Sequence, residues 1–262
     1  MGFFSRLFDK NERARRSIEK NLRTALNKRV QPEERWTALY ALRDNGSSEA
    51  VYGLLKRFTF IAEGKGGLVT DEEEKNWVFQ TILSFGEKTL PELERFILGK
   101  EGPAVNPVHS ISQALQLYRR IVHDDPDAII ALMEKLVQAN EPGYERDPIR
   151  KEEILAFCKE WSDARLPSLL KGYLEDANET IRFMTVECLL QYDDEATCRE
   201  PLLKLFKPEH DESLRIRNRI IQGFCEKGWS IKGYRSYVEP HLNMEEFQIF
   251  RGDTIVRKKE TK

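Results

Sequence analysis

Residues 177–229 read ANETIRFMTVECLLQYDDEATCREPLLKLFKPEHDESLRIRNRIIQGFCEKGW. An apolar-periodic segment, a polar corner, a second apolar segment and another polar corner follow one another before the pattern restarts. That is the signature of one helical hairpin and the beginning of the next. The restart falls on a dipeptide: Ile181-Arg182 recurs as Ile216-Arg217 and is already present as Ile149-Arg150.

Working outward, the period can be counted twice. Arg217, Arg182, Arg150, His109, Asn76 and Arg35 are separated by 35, 32, 41, 33 and 41 residues, each near the head of an expected first helix. Pro91, Pro126, Pro167 and Pro201 are separated by 35, 41 and 34 residues, and each is expected to open a second helix. Proline suits the first helical turn, where its missing N–H would have had no partner. A repeat near this length means a stack of short units, none of which can bury its apolar face alone.

Two helices per repeat, an arginine near the head of the first and a proline opening the second make the chain resemble the HEAT-repeat family, in particular the bacterial phycobilisome-lyase HEAT-like repeats. The resemblance implies an all-α fold, an α-solenoid of about six helical hairpins. It also implies a ladder of acid-to-arginine contacts between repeats, matched here by Asp147 with Arg150 and Asn178 with Arg182; Arg35 and His109 lack a preceding acid. The organisation read from the chain is a basic amphipathic cap at 1–30, the repeats at 31–242, and a C-terminal hairpin and basic tail at 243–262. Within the repeats, helices are expected at 32–43 and 48–62, a capping box at Thr70 and Glu73, a corner at Gly86, and Asp147 as N-cap before Pro148. FQIFRGDTIVRKK reads as two short strands around Arg251-Gly252-Asp253.

The chain has 42 basic and 44 acidic residues, a net charge of −2. The distribution is uneven: residues 1–30 carry about +6 and 251–262 about +3, leaving an acidic body. A surface that tracks phosphates along its whole length is therefore not expected, and nucleic acid is an unfavoured partner. Cys158, Cys188, Cys198 and Cys225 show neither CxxC spacing nor a nearby histidine, so they are read as reduced core thiols, with no metal and no cofactor expected. No signal peptide or membrane-spanning run is visible, which places the chain in the cytoplasm. Phe3, Phe4 and Phe8 lie on one side of an N-terminal helix rich in arginine; the segment either caps the first hairpin or touches an anionic membrane surface.

No catalytic constellation emerges. The pairs Asp124-Asp125, Asp193-Asp194 and Asp211-Glu212 fall at corners, where acids cap helices. The basic stretch LRIRNRI, with Arg215, Arg217 and Arg219, is expected to be neutralised by Glu212 and Glu226. In HEAT solenoids second helices line the concave face, which implies a binding surface at Tyr52, Lys56, Arg95, Lys135, Lys171, Arg199, Lys204, Lys232 and Arg235. The excess of cations there points to an acidic protein or peptide partner and to a non-catalytic scaffold or adaptor. The alternative is a nucleic-acid-binding or DNA-glycosylase-like helical-repeat enzyme.

Overall fold

A computed structural model describes residues 3–63, 67–99, 110–210 and 212–258, the side chains of 3–11, 14 and 67–68 excepted. The helices are α1 (Phe3–Ala25), α2 (Pro32–Asn45), α3 (Ser48–Leu55), α4 (Gly67–Phe85), α5 (Leu90–Leu98), α6 (Ser112–Ile121) and α7 (Pro126–Ala139). They continue with α8 (Ile149–Glu160), α9 (Leu166–Leu170), α10 (Glu179–Leu189), α11 (Glu195–Lys204), α12 (Leu214–Lys227) and α13 (Arg235–Val238). The antiparallel strands β1 (Phe247–Phe250) and β2 (Thr254–Arg257) close the chain, paired Phe247 to Arg257 and Ile249 to Ile255. The fold is mostly helical with one small C-terminal hairpin.

The chain divides into two compact units, Met1–Leu132 and Met133–Lys262, the boundary falling inside α7. In the first unit α1 packs on α2, α2 on α4, α3 on α5 and α4 on α6. In the second, α8 packs on α10, α10 on α12 and α9 on α11. Most of these contacts join helices two apart in the sequence, and α5 also packs on α6. Close approach requires glycine at two crossings. A Cβ on Gly53 of α3 would lie 1.9 Å from Leu22 Cδ2 of α1, and one on Gly223 of α12 would lie 2.5 Å from Leu190 Cδ1, just past α10.

The helix ends show why these residues fold locally as they do. Ser47, Asn178, Asp194 and Ser213 are N-caps whose side chains accept backbone N–H groups. Gly46, Gly99 and Gly228 end α2, α5 and α12 in the left-handed conformation that glycine adopts without a Cβ clash. Pro91, Pro126 and Pro167 open their helices as expected.

Several boundaries depart from the sequence reading. Pro201 lies inside α11, because the Asp194 side chain caps Thr197 N–H at 3.0 Å and starts the helix earlier. Thr70 is an interior residue of α4, which begins at Gly67, so it caps nothing. Asp147 is one residue short of the cap: it accepts from Ile149 N–H, while Pro148 occupies the N-cap position. The helix expected at 48–62 ends at Leu55, and Lys56–Thr59 tightens into a 3₁₀ turn; the same happens at Lys171–Glu175 after α9. The first segment is one helix through Ala25, but the side chains of Phe3, Phe4 and Phe8 lie outside the described residues, as does His109.

The hairpin belongs to the core of the second unit. Phe247 and Ile255 are buried in the same cluster as Ile220, Phe224, Trp229 and Val238. An isolated two-stranded hairpin is marginal in water, so this burial is what holds it. Its Arg251-Gly252-Asp253 turn is also tied down: Asp253 O accepts from Ile231 N–H at 2.7 Å, and Gly252 O accepts from Ser230 Oγ.

Candidate interaction surface

The nine residues singled out by helical spacing separate into groups. Tyr52, Lys56 and Arg95 come together. Tyr52 is on α3, Lys56 follows four residues later and so projects from the same side, and Arg95 is contributed by α5. The Lys56 ammonium sits 4.6 Å and the Arg95 guanidinium 4.3 Å from the centroid of the Tyr52 ring. That ring is buried and packs edge-on to Phe96 at 6.2 Å.

The ring's negative face attracts both cations, yet the cations repel each other. Burial lowers the Lys56 pKa below the ordinary lysine value, and the Arg95 charge lowers it further. Burial raises the Tyr52 phenol, with Arg95 acting against it.

Arg199 and Lys232 also meet, at an open cavity of about 600 Å³ lined with Glu195, Ala196, Glu200 and Ser230. Here the arginine is structural. Its guanidinium donates to the main-chain oxygens of Ser230 and Lys232 and so holds the turn after α12. Arg235 is paired with Glu239 and Asp253. Lys135, Lys171 and Lys204 are exposed, the last within 3.6 Å of Glu200.

Of the acids expected to neutralise the arginines of LRIRNRI, Glu226 does lie beside Arg219, but Glu212 does not hydrogen-bond them. Arg219 pairs with Glu187 of α10 and lies 3.7 Å from Glu226; Arg215 pairs with Glu179 and stacks 3.7 Å from the centre of the Phe183 ring. Glu212 instead binds Arg182, at 2.7 and 2.9 Å. The paired acids act as corner groups: Asp125 Oδ1 accepts from Asp127 N–H, and Asp194 caps α11.

Sequence reasoning missed a buried charge network in the first unit. Arg35 of α2 and Arg57, in the turn after α3, share the Glu74 carboxylate of α4, while Arg57 also binds Asp71 at 2.6 Å. All four side chains are at most 4% exposed. Lys75 completes the group through Asp71 at 2.8 Å. Every donor is turned toward a carboxylate or a main-chain oxygen, with Val30 O and Phe60 O taking the remaining guanidinium contacts, so the network joins α2, α3 and α4. Arg35 was picked out as a helix-head position, but its partners were not; Arg57 is signalled only by standing between the apolar Leu54-Leu55 and Phe58.

Three of the thiols are poor nucleophiles. Burial pushes Cys188 up to about 12 and Cys198 up to about 11, and raises Cys158 as well. Among the described residues no cluster of three His, Cys, Asp or Glu side chains could hold a metal, and no helix is long and apolar enough to cross a membrane. No protein-family model matches the chain, and no curated protein and no solved structure is significantly similar to it.

Proposed function

We propose that this chain is a non-catalytic protein-binding scaffold, a HEAT-like α-solenoid whose second-helix surface takes an acidic segment of a partner protein. The observation that carries the reading is the Tyr52 ring flanked by the Lys56 and Arg95 cations, at 4.6 and 4.3 Å. The packing of helices two apart in the sequence supports the architecture. A stack of that kind offers an extended surface built from exposed second-helix positions.

The partner chemistry follows from the site. With the Lys56 and Arg95 charges both on the Tyr52 ring, the local positive charge favours a carboxylate-bearing partner over a basic one. The nucleic-acid alternative draws no support from LRIRNRI, where Arg215 and Arg219 are held by Glu179 and Glu187.

The test is fluorescence anisotropy of the full chain with a labelled peptide of alternating Glu and Gly, against the same peptide carrying Gln. Preferential binding of the Glu peptide is expected, weakened about tenfold or more by the double variant K56E/R95E and reduced by added salt. Equal affinity for both peptides, or an unchanged affinity in the folded double variant, overturns the reading.

A further inference from the structure

In the first unit α2 and α4 share a patch of aromatic rings apart from the Tyr52 site. Trp36 and Tyr40 lie one turn apart on α2, and Trp77 of α4 meets both. The Trp36 and Tyr40 rings are 5.5 Å apart and within 31° of parallel. Trp77 is turned across them, at 79° and 82°, with centroids 5.5 and 5.1 Å away. Tyr40 is 42% exposed and both tryptophans are half-buried, so the rings form a stepped surface that solvent reaches. Neither indole N–H has an acceptor among the described residues, and neither nitrogen is sealed from solvent. Tryptophan joins an apolar body to a polar tip that seeks a partner, and here both tips are unused.

The two ends of the patch differ in charge. Arg43, one turn beyond Tyr40, brings its guanidinium to 5.3 Å from the Tyr40 centroid and 5.7 Å from that of Trp77, and Asp44 meets its charge at 2.8 Å. At the other end Glu33 and Glu73 each stand one turn before a tryptophan, on the same helix face. Both are exposed, and neither makes an ion pair among the described residues. These features select the occupant. A quaternary ammonium group would need ring faces that Arg43 already holds. An anionic membrane would be repelled by Glu33 and Glu73. A proline-rich segment, by contrast, packs its rings on aromatic side chains, and as a polyproline II helix it has no internal hydrogen bonds, so its carbonyls accept donors such as indole N–H.

We propose that the Trp36, Tyr40 and Trp77 patch docks a proline-rich segment of another polypeptide in the polyproline II conformation. The prolyl rings pack on the three aromatic rings, the indole N–H groups of Trp36 and Trp77 donate to the segment's carbonyls, and a lysine or arginine at one end of it lies at Glu33 and Glu73. The site does not rest on the Tyr52 reading. It is built on α2 and α4 rather than α3 and α5, and it selects a basic-ended partner rather than an acidic one.

The experiment follows the indole Nε1–Hε1 resonances of the four tryptophans in the full ¹⁵N-labelled chain, Trp36 and Trp77 being assigned from W36F and W77F. Trp161 and Trp229, 7% and 5% exposed, are the internal controls. A blocked oligoproline peptide ending in arginines should shift Trp36 and Trp77 saturably and leave the controls in place; the same peptide with glycine and serine for proline should shift none. W36F and W77F keep a ring but lose the donor, and each should weaken binding about five- to tenfold while the control resonances stay where they were. E33Q/E73Q should weaken it about two- to fivefold and flatten its salt dependence, leaving an oligoproline without arginine unaffected. The proposal is overturned if the oligoproline shifts neither tryptophan, if the glycine–serine peptide shifts them equally, or if both Trp→Phe variants bind as the unaltered chain does. Saturation by tetramethylammonium at the peptide's own concentration, a shift with phosphatidylserine vesicles but not with peptide, or a shift that follows the concentration of the chain alone would each overturn it too, naming a cation, a membrane or a second copy as the occupant.

Discussion

Arg35 and Arg182 hold the same helix position and grip a carboxylate in the same way, yet their surroundings differ. Around Arg35 the pair is sealed, 1% and 0% exposed, and Glu74 must serve a second guanidinium from Arg57. Around Arg182 the arginine is 19% exposed while Glu212 is 1% exposed, and Glu212 hydrogen-bonds no second guanidinium, accepting otherwise from Ser213 N–H. A sealed network exchanges hydration for a complete set of hydrogen bonds, and so depends on every member being present. Where the arginine of the pair is partly exposed, water remains a substitute partner for the guanidinium. The same contact is thus a fixed point in the first unit and a replaceable one in the second.

The sharpest way to break that contrast is to remove one carboxylate from each unit. Glu74→Gln leaves Arg35 and Arg57 sealed with a neutral group between them, and a loss of about 3–5 kcal/mol in urea-monitored stability is expected. Glu212→Gln should cost only about 1–3 kcal/mol, because Arg182 can turn toward solvent. Equal losses from the two variants would show that burial does not distinguish the pairs.

Acid should reach both regions through their carboxylates. Burial alone would raise Asp71, but hydrogen bonds from Lys75, Ala62 N–H and Arg57 outweigh it and hold its pKa below the usual value. Burial likewise works against Glu212, and Arg182 together with Ser213 N–H prevails. Groups whose folded pKa is depressed contribute stability that is fully present above the unfolded carboxylate pKa, about 4, and lost as pH falls through the folded value. The melting temperature should therefore be flat near neutrality with respect to these two groups and fall below about pH 4. In Asp71→Asn and Glu212→Gln the fall should be shallower, and a slope identical to that of the unaltered chain would remove these residues as its source.

Much of the helical plan could be read from the residues, and particular failures show why the rest could not. The matched heads of α10 and α12 were legible because Asn178, Ser213 and the Ile-Arg dipeptides are local signals. The proline rule held at Pro91, Pro126 and Pro167, where no earlier cap competes, and failed at Pro201, where Asp194 starts the helix first. The acid partners were not legible because their offsets vary: Glu74 lies 39 residues after Arg35, whereas Glu212 lies 30 after Arg182. Pairing by nearness assigned Glu212 to the wrong arginines. Tyr52 was expected at an exposed position and is buried instead, and the meeting of Lys56 and Arg95 on its ring depends on how α3 packs on α5, which no local pattern encodes.

The caps offer the smallest and cleanest test of the comparison. In the second unit the N-caps Asn178 and Ser213 accept helix N–H groups through their side chains. Gln31, at the matching place in the first unit, has the extended backbone of a cap, φ −60° and ψ 145°, but its side chain makes no such bond. Serine there can accept from the N–H groups at the second or third helical position, while Pro32 at the first needs no partner. Gln31→Ser should therefore stabilise the chain by about 0.5–1 kcal/mol in urea unfolding, and Ser213→Ala should destabilise it by about 1 kcal/mol. If Gln31→Ser gains nothing while Ser213→Ala costs the expected amount, the head of α2 is held by Arg35 and its buried network rather than by its cap, and the difference between the two regions extends to how their helices begin.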